Sequence, residues 1–264
     1  MAITQGNNLP HVSIGDSQIY YEIHGEGPDM VLLHGVGGNH ASWFPQIAAL
    51  QAQFRLVTID ARGFGKSTDA EGAGRDKFVD DLDFVWKALG LKKAILLGQS
   101  MGGGTAVAFS CRFPERVKAL VLADTLVGIT LPPWLKSLMD PVIKETSTLS
   151  QVERVLGETT RKIRSERVTL YTQIAGFNSV GLKTLVGVQE THSIEELAAT
   201  KLPVLFLLGS EDVLFPPEIA RQVHNQIPNS MFVEIEKSGH SAHFETPELF
   251  NAHLIEMLKV AKVI

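Results

Sequence analysis

The chain has 264 residues, a formal net charge of −5 and one cysteine, a length that suits one enlarged α/β domain or one domain carrying an insertion. The mildly acidic balance leaves no electrostatic footprint for nucleic acid, and no apolar run approaches the roughly 20 residues of a membrane helix. Cys111 alone cannot form an internal disulfide and fits a reducing, cytoplasmic compartment.

The polar start from Met1 to Pro10 lacks the basic and apolar regions of a secretory signal. Residues 11–24 then alternate, with Val12 and Ile14 before Gly15-Asp16 and Ile19, Tyr21 and Ile23 after it, which predicts a hairpin. Met30 to Leu33 is a short continuous apolar run, the pattern of a strand buried on both faces, and it ends in His34-Gly35-Val36-Gly37-Gly38. A helix is expected through Gln46 to Gln51. Arg55 to Ile59 forms the next strand, stopping at Asp60 before the glycine-rich loop Arg62 to Ser67.

Phe78, Leu82, Val85 and Leu89 fall on one face of a helix closed by Gly90. The strand Ala94 to Leu97 leads into Gly98-Gln99-Ser100-Met101-Gly102 and a helix that Pro114 ends, and Val117 to Leu122 makes one more strand. Alternating strands and helices predict a largely parallel sheet covered on both faces, with the early hairpin as an antiparallel edge.

From Asp124 to about Thr200 helical spacing dominates and no strong strand is expected. Leu131, Trp134, Leu135, Leu138 and Met139 form one apolar stripe, and Val152, Val155 and Leu156 suggest a second. This reads as a helical insertion. The sheet pattern resumes at Val204 to Leu208, a helix follows Pro216-Pro217, Met231 to Ile235 is a last strand, and a closing helix from Pro247 carries Phe250, Leu254, Met257 and Leu258.

The strand-turn-helix context gives the G-x-S-x-G motif meaning, because a serine on so sharp a turn projects its hydroxyl above the sheet. A serine hydroxyl attacks poorly until a base takes its proton, and a third group must hold that base in the right tautomer. In this context the expected chain order is serine, acid, histidine. Asp212 lies just past the strand 204–208 and His240 just past the strand 231–235. All three are therefore expected at the carboxyl edge of the sheet. A chance motif, a loop histidine and a helix-capping aspartate are the plainer readings, and convergence of three separate segments argues against them together. Asp124 and Glu211 are the alternative acids and His243 the alternative base.

An anionic tetrahedral intermediate needs fixed N–H donors. One is expected from Met101, at a helix N-terminus that favours negative charge, and the other from Val36 in the loop after the strand 30–33. His34 reads as a structural histidine holding that loop. Gly65-Lys66-Ser67 looks like the end of a P-loop, but Asp60 stands where its first glycine is required. No G-x-G-x-x-G follows a strand and no histidine or cysteine spacing suits zinc, so no metal, nucleotide or other cofactor is expected.

With these residues in place, the chain resembles the α/β-hydrolase superfamily over nearly its whole length. The resemblance is carried by His34-Gly35, the turn Asp60 to Ser67, the Ser100 segment, Asp212, and His240-Ser241-Ala242-His243-Phe244-Glu245. It implies a mostly parallel eight-stranded sheet with helices on both faces, a core of residues 1–124 and 201–264, and a helical cap at 125–200 that covers Ser100. Small esterases, enol-lactonases and carbon–carbon bond hydrolases look most alike. The last usually carry a proline in the His-Gly loop, and Val36-Gly37-Gly38 departs from that.

The resemblance thus implies a hydrolase of small to medium esters or lactones, using Ser100, His240 and Asp212. The alternatives are carbon–carbon bond hydrolysis and a ligand sensor with little turnover. Trp134, Leu138, Met139, Tyr171 and Phe177 are candidates to line the substrate pocket or to form the cap's own core, and Leu214 is a pocket candidate beside the acid.

Overall fold

The computed structural model describes residues 10–264; residues 1–9 of the polar start lie outside them. The described chain builds an eight-stranded sheet in the spatial order β1-β2-β4-β3-β5-β6-β9-β10. Its strands are β1 (His11–Ile14), β2 (Ser17–His24), β3 (Asp29–Leu33), β4 (Arg55–Ile59), β5 (Ala94–Gln99), β6 (Val117–Ala123), β9 (Val204–Gly209) and β10 (Ser230–Ile235), with β7 and β8 lying outside this sheet. β1 pairs antiparallel with β2, and β2 antiparallel with β4. Every other pairing in the sheet is parallel. The expected mostly parallel α/β sheet with an antiparallel hairpin edge is what the chain forms.

Side chains alternate across a strand, so a strand buried on both faces must be apolar throughout. In β3, Val31 and Leu33 enter one apolar cluster while Met30 and Leu32 enter another. The first cluster takes Val79, Leu82 and Val85 from α2 (Phe78–Ala88), Val107 and Phe109 from α3 (Met101–Arg112), and Ile219 and Val223 from α9 (Pro217–His224). The second takes Leu50 from α1 (Phe44–Leu50) and Phe250, Leu254 and Leu258 from α11 (Pro247–Val260). The sheet is thus covered on both faces, and its central strands are buried throughout.

Between β6 and β9 the chain leaves the sheet as α4 (Pro133–Thr146), α5 (Gln151–Val155), α6 (Glu158–Ile163), α7 (Ser165–Gly176) and α8 (Ile194–Ala199). One feature differs from the sequence reading. A two-strand parallel ribbon, β7 (Ile129–Thr130) with β8 (His192–Ser193), ties the two ends of this segment together. Strands of two residues leave no periodicity to read. The short α10 (Ala242–Glu245), between β10 and α11, was hidden for the same reason.

Candidate active site

Every group of the site stands at the carboxyl end of a parallel strand. β5 ends at Gln99, α3 begins at Met101, and Ser100 alone makes the turn with φ 49 and ψ −118. This left-handed backbone is strained for a residue with a side chain. The flanking glycines are required by contact. A Cβ on Gly98 would lie 2.4 Å from the Gly102 carbonyl oxygen, and one on Gly102 would lie 2.2 Å from the Leu33 carbonyl oxygen. The turn is pinned further, since the Ser100 N–H donates to Ala123 O at 3.1 Å and Thr125 Oγ1 donates to Ser100 O at 2.9 Å.

The Ser100 hydroxyl lies 2.8 Å from His240 Nε2, and His240 Nδ1 lies 3.0 Å from Asp212 Oδ2. With the proton on Nδ1, the imidazole donates to Asp212 and accepts the serine O–H, the tautomer a general base needs. Asp212 is 4% and His240 3% exposed, while Ser100 is only half-buried, so the orienting groups are shielded and the hydroxyl is reachable. The other Asp212 oxygen accepts the N–H groups of Leu214 at 2.8 Å and Phe215 at 3.1 Å, which fixes the carboxylate plane. Phe215 packs on the imidazole with ring centres 5.7 Å apart.

The alternative residues occupy other posts. Asp124, itself at φ 49, is fully buried with its carboxylate accepting the Gly209 N–H at 2.7 Å and the Ala242 N–H at 2.9 Å. It ties the acid loop to the histidine loop. Burial, then the charge of Asp212, holds its carboxyl well above the usual carboxylate range. Glu211 accepts from the Thr159 N–H and hydroxyl. His243 is buried against Trp43, ring centres 4.4 Å apart, and burial together with His240 pushes its pKa down to about 3. His34 is structural: its Nδ1 donates to Gly35 O at 2.8 Å and its Nε2 accepts the Ala61 N–H at 3.0 Å. Burial lowers its pKa and keeps it neutral.

The two expected anion donors lie in segments next to Ser100 in the fold. Met101 is the first residue of α3, and Val36 sits in the loop after β3. Among the described residues neither N–H has a hydrogen-bond partner. The Val36 loop presses close, since a Cβ on Gly35 would lie 2.8 Å from Ser100 Cβ.

Gln99 carries a role the sequence did not reveal. Its Nε2 donates to His240 O at 2.6 Å, and its Oε1 would lie 2.2 Å from a Cβ on Gly35, so one buried amide spaces the histidine and Val36 loops. A buried amide reaching a backbone carbonyl leaves no motif. Above the loop, a Cβ on Gly37 would meet Gln151 Nε2 at 2.2 Å and Tyr171 Oη at 2.5 Å, and these two are themselves hydrogen-bonded at 3.1 Å. A space of about 10 Å³, room for one water, lies between Val36, Gln99, Tyr171 and Phe244.

The pocket candidates divide. Met139 and Tyr171 are buried in apolar clusters, Leu214 is half-buried, and Trp134, Leu138 and Phe177 are 50%, 47% and 76% exposed. A groove of about 620 Å³ between α4 and the Asp212 loop is walled by Val142, Thr146, Leu149, Val213 and Pro216 together with the acidic Glu145, Glu211, Asp212 and Glu218, rather than by Trp134, Leu138, Met139 or Leu214. Among the described residues no cluster of His, Cys, Asp or Glu is placed to hold a metal ion, and no helix is long and apolar enough to cross a membrane.

A sequence profile of the alpha/beta hydrolase fold matches residues 28–247. The AB hydrolase superfamily protein YisY of Bacillus subtilis is 28% identical, across 89% of this chain and 92% of its own length. A thermophilic esterase from Thermogutta terrifontis superposes with a TM-score of 0.78 at 27% identity, covering 96% of this chain and 99% of that one. Carboxylesterase CesB of Bacillus subtilis superposes with a TM-score of 0.74 at 25% identity, covering 94% and 90%. With a profile match over most of its length and the same architecture, the chain belongs to the alpha/beta hydrolase fold family and is a hydrolase.

Proposed function

We propose that this hydrolase cleaves small to medium, largely uncharged carboxylic esters or lactones through an acyl-enzyme on Ser100. The observation that carries the reading is the relay of 2.8 Å from Ser100 Oγ to His240 Nε2 and 3.0 Å from His240 Nδ1 to Asp212 Oδ2. His240 takes the serine proton as Oγ bonds to the carbonyl carbon, and Asp212 stabilises the imidazolium without taking its proton. The carbonyl oxygen becomes an oxyanion to which the N–H groups of Val36 and Met101 donate; losing one such donor costs about 10²–10³ in rate. His240 then returns the proton to the leaving alkoxide. Water, deprotonated by His240, attacks the acyl carbon and releases the acid and free Ser100.

In this reading residues 125–200 are a cap on a core of residues 1–124 and 201–264. Support comes from the contacts of Gln151 and Tyr171 on Gly37, beside the proposed Val36 donor. The esterases among the similar structures support ester chemistry. A cytoplasmic setting belongs to the same proposal, supported by a cysteine usage of one residue, Cys111, which has no second cysteine to pair with inside the chain.

The test is Ser100→Ala. The variant is expected to fold as the parent does, to lose about 10⁶-fold in kcat on p-nitrophenyl acetate, and to resist a fluorophosphonate label. Turnover retained in a folded Ser100→Ala overturns the proposal.

A further inference from the structure

Glu245, at the end of α10, is fully buried yet lies outside the Ser100–His240–Asp212 relay. Its Oε1 accepts the Gly239 N–H at 2.9 Å and the Ser241 N–H at 3.2 Å, from the residues on either side of His240. Its Oε2 accepts the Gly157 N–H at 2.8 Å, from the residue that caps α6 in the inserted segment. One carboxylate therefore grips the histidine loop on both sides and the insertion at once.

The backbones at this junction are as close as they can be. A Cβ on Gly239 would lie 2.3 Å from the Gly157 nitrogen, and a Cβ on Gly157 would lie 2.7 Å from the Gly239 nitrogen. A second strap runs alongside, with Glu211 accepting the Thr159 N–H at 2.8 Å while its own N–H donates to Ser238 O at 2.8 Å. Burial raises the Glu245 carboxyl, and the Thr160 side chain and then the N–H groups of Gly157, Gly239 and Ser241 oppose that rise without cancelling it. The anchoring of α6 and the setting of the imidazole thus share one group.

We propose that Glu245 is a positioning residue that holds His240 in line with Ser100 and makes that alignment depend on the seating of the inserted helices at Gly157. The inference rests on His240 being the base, and the two can fail separately. If Ser100→Ala retains turnover, the triad reading falls. If Ser100→Ala is inactive but folded Glu245→Gln keeps its kcat, only the role of Glu245 falls.

Glu245→Gln keeps the volume but offers a single acceptor oxygen, so it cannot serve both the His240 flanks and Gly157, and its NH₂ must face an N–H. In the folded variant kcat on p-nitrophenyl acetate is expected to fall about 10²-fold with KM within about twofold, since a misplacement of about 1 Å has that effect. A purely structural role would lower the melting temperature and leave kcat of the folded enzyme unchanged, which overturns the proposal. Gly157→Ala, which leaves Glu245 intact but pushes α6 off Gly239, is expected to reproduce the kcat loss; full activity in that folded variant overturns the coupling.

Should neither variant fold, amide exchange of the unaltered protein decides. Peptides covering 156–163 and 238–243 are expected to open with one common free energy, and a histidine loop that exchanges independently of α6 overturns the inference.

Discussion

At the scale of the residue, the site is a set of buried acceptors competing for a few N–H groups, and the division of labour between Asp212 and Asp124 follows from which donors each one meets. Asp212 faces the imidazole N–H, whereas both oxygens of Asp124 are occupied by the backbone of Gly209 and Ala242. Asp212→Asn would present an amide N–H to Nδ1 and favour the wrong tautomer, so kcat is expected to fall by about 10⁴ with little structural change. Asp124→Asn leaves the imidazole partner intact and is expected to lose less than about tenfold, with a stability loss of about 1–3 kcal/mol from an orphaned N–H. Steady-state kinetics on the two variants compare them directly, and equal losses would make Asp124 the acid. Ser100, Asp212 and His240 were legible because each follows a strand in a fixed chain order. The contacts of Gln99 and of Glu245, the last residue of the segment that carries the resemblance, were not, because a side chain that serves backbone groups leaves no spacing between chemical residue types.

At the scale of the element, the strands were readable because burial on both faces demands unbroken apolar runs, as in Met30 to Leu33 and Val204 to Leu208. Helix α4 shows where such reading stops. Its stripe had the right period but was drawn too wide: Leu135 and Met139 are buried, whereas Trp134 and Leu138, one residue back on the adjoining face, are half exposed. Only packing partners narrow a stripe to the face that is covered. The junction of β5 with α3 is equally a matter of contact. Gly102→Ala would place a methyl 2.2 Å from the Leu33 carbonyl, backbone against backbone, with no side chain able to yield. The expected cost is about 3 kcal/mol or more, a fall in Tm of at least about 6 °C for a domain of this size. Gly181→Ala, with nothing within 4 Å of the added methyl, serves as the control and is expected to melt within about 1 °C of the parent.

At the scale of the whole molecule, burial at the sheet's carboxyl edge strands several ionisable groups away from water, and they respond to acid with opposite signs. His243 and His34 are buried neutral, His243 with its pKa pushed down to about 3 and His34 lowered by burial. Unfolded, each titrates near 6.5, so below that pH the unfolded chain binds more protons than the native one and stability is lost as pH falls. Asp124 and Glu245 are raised, chiefly by burial. Between the unfolded carboxylate range and their folded values the native state holds the extra proton, so acidification through that window restores stability. Each group acts with a slope of at most about 1.4 kcal/mol per pH unit inside its own window. His243→Gln removes one such group while keeping a polar side chain beside Trp43. Urea unfolding at pH 7 and pH 4.5 is expected to show the variant losing up to about 2–3 kcal/mol less than the parent on acidification, even though it is the less stable of the two at pH 7. A stability difference between parent and variant that does not change with pH would mean that the native protein already accommodates a charged His243, and the acid-labile group would then have to be sought at His34.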